Sequence, residues 1–84
     1  MDRETIKNKI LTIFDEEFEI VNPGENEDLR EIHGFDSIDA IELLREIEIM
    51  LDTELTRDEK KKAMDIRTFS QICDYVESLS ADRG

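Results

Sequence analysis

The stretch 34-GFDSIDAIELL-44 decides how the chain is read. Asp36 is a good helix N-cap, because its short carboxylate can accept the orphan backbone N–H groups of a first turn. Asp39 sits at N3, a weaker version of the capping box. Beyond it Ala40, Leu43, Leu44, Ile47, Met50 and Leu51 fall on one broad face at helical spacing. The pattern predicts a helix from near Asp36 to Leu51 or Asp52, with that face toward a core. Two features exceed what a core-facing helix needs. Ser37 stands at the first helical position, where Asp36 already caps, so its hydroxyl is free for other chemistry. Ile38, Ile41 and Ile49 fall away from the core stripe, among Glu42, Arg45 and Glu46.

Elsewhere the chain reads as helical. Ile6, Ile10, Phe14 and Phe18 recur every four residues, with Leu11 and Ile13 close by, which predicts a first helix from about Asp2 to Val21. Asp2 can cap its start, and Pro23-Gly24 stops it. Residues 22–35 read as a long loop, with Leu29 and Ile32 tucked inward on a short helical turn. A loop of this length in a small domain is usually functional or disordered. Residues 52–67 are polar, with Leu55, Met64 and Ile66 as isolated anchors and a short helix around 58–65. The last helix begins at Thr68, where Thr68-Phe69-Ser70-Gln71 is a capping box of the T-x-x-Q type. Phe69, Ile72, Cys73, Val76 and Leu79 or Ser80 keep helical spacing, and the tail, ADRG, is expected to fray. No useful length alternates with period two. The expected fold is all-α: a small three- to four-helix bundle with a long loop between the first and second helices, in one domain spanning residues 1–84.

Composition narrows the function. The 84 residues hold 23 acids against 11 bases, a formal net charge of -12. Nucleic-acid binders show the reverse footprint, so the expectation is no nucleic acid but a partner with a basic face. One cysteine, Cys73, excludes an intramolecular disulfide and fits a reducing compartment. The N-terminus begins with charges and lacks a continuous apolar segment, so no secretory signal is expected. No apolar run approaches membrane-spanning length. A cytoplasmic monomer is the expectation.

A helix N-terminus is a natural seat for a phosphate ester. Asp36 and Asp39 would repel a bare phosphate, yet could help hold a divalent cation while a phosphorylated donor is transferred. The plain alternative is that D-S-x-D is only helix-start chemistry. Context separates the two. Gly34-Phe35-Asp36-Ser37-Ile38 follows a long loop and opens an acidic helix, and in this it resembles the acyl carrier protein family. The attachment motif of that family is an Asp-Ser-Leu triplet, often preceded by Gly and one further residue; here Ile38 replaces the leucine. The similarity continues through 39-DAIELLREIEIMLDTEL-55 and returns in 69-FSQICDYVESL-79, so in length and helix order it covers nearly the whole chain.

The resemblance implies that Ser37 carries a 4'-phosphopantetheine arm, installed from coenzyme A by a separate phosphopantetheinyl transferase using magnesium. The arm's thiol would hold acyl groups as thioesters, and the protein itself would catalyse nothing. The growing acyl chain would shelter in a loosely packed core. Asp36 and Asp39 would support the cofactor site.

Between Asp36 and Glu54 stand seven acids and one base, Arg45. A solvated helix face explains the acids but not the outward isoleucines. Apolar residues rimmed by charge suggest docking, so Ile38, Ile41, Glu42, Arg45 and Glu46 are the expected partner-binding residues for acyl-chain synthesis enzymes with basic docking faces. Such an interface would be small, salt-sensitive and transient. Arg45 departs from the apolar residue that many relatives present. The loop with Lys60-Lys61-Lys62 is longer than usual and reads as a solvated turn or the basic end of a short helix. Both point toward a specialised carrier.

No catalytic constellation emerges. His33 and Cys73 are alone of their kinds, the acids around Asp36 do not match a calcium loop, and no zinc or glycine-rich phosphate pattern occurs. No resident metal and no enzyme activity are expected. The strong acidity and the absence of Trp favour fatty acid or polyketide use over a peptide-synthetase module. The competing reading is a small acidic helical adaptor that binds a protein partner through its second helix.

Overall fold

Five helices follow one another among the described residues, with no strand between them: α1 Arg3–Phe18, α2 Leu29–His33, α3 Ser37–Leu51, α4 Arg57–Ala63 and α5 Phe69–Arg83. The computed structural model describes residues 2–83, with side chains through residue 81. The three long helices supply most of the core, and the two short ones sit in the connections, so the all-α expectation holds.

Helix α1 is capped by Asp2, whose carboxylate accepts the Thr5 N–H at 2.8 Å. Ile6, Ile10 and Phe14 are completely buried. The helix ends at Phe18, earlier than the expected Val21. Glu19 adopts a left-handed conformation at φ 56°, and the Ile20 N–H reaches back to the Phe14 carbonyl at 2.9 Å. This closure satisfies late carbonyls of the helix and returns Ile20 to the core, leaving Val21 exposed. The stop therefore comes from burial of Ile20, ahead of Pro23.

The connection from α1 to α3 is ordered by bonds to the start of α5. The Ser70 N–H donates to the Glu25 carbonyl at 2.9 Å and the Leu29 N–H to the Arg67 carbonyl at 2.8 Å. Asp28 caps α2 by accepting from Arg30 and Glu31, each at 3.0 Å. Leu29 is buried as expected, but Ile32 is 55 % exposed. A five-residue helix has one inward line. Leu29 and the half-buried His33, four apart, share it, and Ile32 faces out. Gly34 closes α2 at φ 68°, a left-handed conformation that glycine adopts without a Cβ penalty.

In α3, Leu43, Leu44 and Ile47 are buried, while Ala40, Met50 and Leu51 are half-buried at the stripe's edges. Helix α4 begins at a box that the expected span of 58–65 missed. The Thr56 hydroxyl accepts the Glu59 N–H at 3.2 Å, and Glu59 accepts the Thr56 N–H at 2.8 Å. Lys60, Lys61 and Lys62 occupy its last turn, where cations meet the helix dipole favourably. Of the expected anchors Leu55 is buried, Ile66 is half-buried and Met64 is exposed. Met64 sits past the end of α4, and Ala63 takes the inward position instead.

The Thr68 box forms as expected. Gln71 N–H donates to the Thr68 hydroxyl at 3.2 Å and Gln71 accepts the Thr68 N–H at 3.1 Å. Phe69, Ile72, Cys73, Val76 and Leu79 are buried, with Ser80 half-buried. Residues 81–83 continue the helix rather than fraying, and Gly84 lies outside the described residues. Four phenylalanines tie the bundle to the start of α3. Phe14 packs on Phe18, Phe35 and Phe69 at centroid distances of 5.6, 5.3 and 5.9 Å, and Phe18 meets Phe35 edge-on at 5.3 Å.

Candidate functional site

The site is built at the first turn of α3. Phe35 is held against α1, which fixes the chain immediately before Asp36. The Asp36 carboxylate accepts the N–H groups of Ile38 at 3.0 Å and Asp39 at 3.1 Å. Asp39 returns the bond, accepting the Asp36 N–H at 3.2 Å. The box is complete without Ser37. Ser37 is exposed, and among the described residues no hydrogen bond engages its hydroxyl. Asp36 is exposed beside it and Asp39 is half-buried.

Ser37 also lies on a cleft with a cavity volume of about 50 Å³, whose inner wall is apolar and includes Leu43, Ile47 and Ile72. A space of this size accepts a few waters. Arg30, Met64, Arg67 and Tyr75 line it as well, and none of them belongs to the expected site. They come from α2, from the α4–α5 connection and from α5, so no local pattern around Ser37 announces them.

The expected docking residues share one outward face. At about 100° per residue, Ile38, Ile41, Arg45 and Ile49 span about 80° of the helix surface, with Glu42 adjacent. Ile38 is 72 % exposed, Ile41 56 % and Ile49 73 %. Glu42 and Arg45 are exposed, whereas Glu46 is half-buried at the margin of this face. Ile49 extends the apolar line beyond the expected set.

The two residues that look reactive are occupied elsewhere. His33 Nε2 lies 3.1 Å from Glu27 Oε1. That carboxylate also accepts the Gly24 N–H at 2.7 Å. The Gly24 bond first, and the His33 contact second, hold the Glu27 carboxyl below the usual carboxylate range. Cys73 is 2 % exposed, and burial pushes its thiol up.

A family model described as phosphopantetheine attachment site matches residues 8–76, most of the chain and all of this geometry. The chain belongs to that family. It is a phosphopantetheine carrier, and the domain is a site of covalent 4'-phosphopantetheine attachment. No curated protein and no solved structure matched the chain. The carrier's residues suit the group. A phosphodiester needs a hydroxyl that is open to a modifying enzyme and free of competing bonds, and the first turn of α3 presents one. No helix among the described residues is long and apolar enough to cross a membrane.

Proposed function

We propose that Ser37 is the esterified residue and that the protein shuttles acyl groups as thioesters among the enzymes of fatty acid or polyketide-type synthesis, catalysing no step itself. One observation carries the assignment. Within the matched residues 8–76, Ser37 bears the only hydroxyl that is both exposed and free of hydrogen bonds to the described residues. Thr12 donates to the Asn8 carbonyl. Thr56 and Thr68 are spent on helix caps. Thr53 and Ser70 are half-buried, and the Tyr75 hydroxyl donates to the Glu59 carbonyl.

Asp36 and Asp39 hold the turn that presents the hydroxyl. Their carboxylates would help hold a divalent cation brought by a phosphopantetheinyl transferase. The apolar inner wall of the cleft supports an acyl cargo rather than a polar one. The outward isoleucines among acids support docking by synthesis enzymes with basic faces, through contacts brief enough for a shuttle. A single cytoplasmic carrier domain, acting as a monomer, completes the proposal.

The test is intact mass after incubation with coenzyme A and a promiscuous phosphopantetheinyl transferase. Wild type should gain the mass of one phosphopantetheine group, and Ser37→Ala should gain nothing. No gain by wild type, under conditions that modify a control carrier, would reject the proposal and leave a small acidic adaptor that binds partners through α3.

A further inference from the structure

A phosphodiester at Ser37 would add negative charge to an acidic chain, beside Asp36 and Asp39. The helix N-terminus favours an anion there, but the two neighbouring carboxylates would repel it. The same cleft holds the compensation. Its lining contains two cations, Arg30 and Arg67, and Asp36 as its one acid. The two arginines are brought together by the fold, since the Leu29 N–H donates to the Arg67 carbonyl at 2.8 Å. Among the described residues neither guanidinium makes an ion pair, in a chain where acids outnumber bases two to one. Arg67 is also steadied. Its Nη1 donates to the Met64 and Ile66 carbonyls, each at 3.3 Å, along the cleft edge. Its other N–H groups remain unspent. Two guanidiniums lining one cleft repel each other unless an anion lies between them, and a guanidinium suits phosphate oxygens because its planar fork donates in parallel.

We propose that Arg30 and Arg67 form a cationic lip that receives the phosphodiester at Ser37 and keeps the arm at the mouth of the apolar cleft. This rests on Ser37 being the attachment residue. The arginines act as positioning residues and take no part in chemistry. Their position explains how a site flanked by acids tolerates a further negative group. It also gives the arm a resting place over the cleft, distinct from the outward face of α3 that partners would use.

The experiment compares the full chain before and after modification in wild type, Arg30→Gln, Arg67→Gln, the double variant, and Arg57→Gln as a control for loss of an exposed arginine outside the cleft. Intact mass confirms conversion for each. Thermal melts then give the holo-minus-apo difference in Tm, which cancels any effect of the substitution on the fold itself. Wild type and Arg57→Gln should give the same difference. In the double variant it should be less favourable by about 3 °C, as expected for loss of a charge-assisted contact at the surface of a small domain. Each single variant should show part of this, and high salt should shrink the gap. The phosphorus-31 shift of the diester should differ between wild type and the double variant. Equal Tm differences and equal shifts in fully converted protein would overturn the lip while leaving attachment at Ser37 intact. No mass gain in any form would remove attachment and lip together.

Discussion

Asp36 and Asp39 hold each other across the first turn of α3, the Asp36 carboxylate accepting the Asp39 N–H at 3.1 Å and Asp39 accepting the Asp36 N–H at 3.2 Å. The serine between them is therefore released from structural duty. The two halves of the box are not equal. Asp36 also satisfies the Ile38 N–H, so its removal orphans two donors, whereas loss of Asp39 orphans one. Asp36→Ala should lower stability by about 1 kcal/mol, or roughly 4–8 °C in Tm for a domain of this size. Asp39→Ala should cost less, and Asp36→Asn should retain most of the cap. Thermal denaturation followed by circular dichroism checks the order. An Asp39→Ala loss as large as that of Asp36→Ala would show that the turn is held by something other than this box.

What the sequence reveals about this fold tracks how local the cause is. The caps at Asp2, Asp36 and Thr68 are legible because each is a short polar side chain bonding to backbone within three residues. The Thr56 box is equally local, and the T-x-x-E pattern from Thr56 to Glu59 would have placed the start of α4. The end of α1 is different. Glu19 takes a left-handed conformation that no glycine advertises, because burying Ile20 outweighs the strain. Helix α2 is too short for periodicity to choose between Ile32 and His33. At the site, Ser37 and the isoleucines are visible in one stretch of sequence. Arg30 and Arg67 are not, since the backbone bond between residues 29 and 67 that pairs them is a product of the whole fold.

Glu27 gives the loop before Ser37 a dependence on pH. Its carboxylate is held low by the Gly24 N–H first and His33 second. A group whose folded pKa is depressed stabilises the fold above its unfolded value, near 4.5, and that contribution is lost as pH falls through the folded value. At pH 7 Glu27→Gln should therefore be less stable than wild type. The gap should close progressively below about pH 4.5 as wild type takes up the proton. Denaturant midpoints of both forms between pH 7 and pH 2.5 provide the comparison. A gap that stays constant across this range would mean that Glu27 contributes through packing alone.

Cys73 should behave as a core residue. It is buried on α5, and burial raises its thiol pKa, so the reactive thiolate is scarce in the native state. Alkylation at pH 8 should be slow in the folded protein and fast in denaturant. Its native rate should rise in step with any destabilising substitution, such as Asp36→Ala, because access requires opening of the helix packing. Rapid native labelling that ignores stability would place the thiol in a locally open segment instead.

The outward face of α3 separates stability from recognition. Ile38 and Ile41 are 72 % and 56 % exposed, so each replacement by Ala should change stability by less than about 0.5 kcal/mol. If this face docks the transferase, their loss removes apolar anchors from an interface whose acids supply only steering. KM for the carrier should rise about five- to tenfold per anchor, with kcat nearly unchanged. Glu42→Gln should act differently, slowing association most at low salt and little at high salt. Glu46 sits half-buried at the margin of the face, so its neutralisation should have the smallest effect of the set. The ranking is what tests the surface. Should Glu46 matter more than Ile38 and Ile41, partners would approach α3 from a different side.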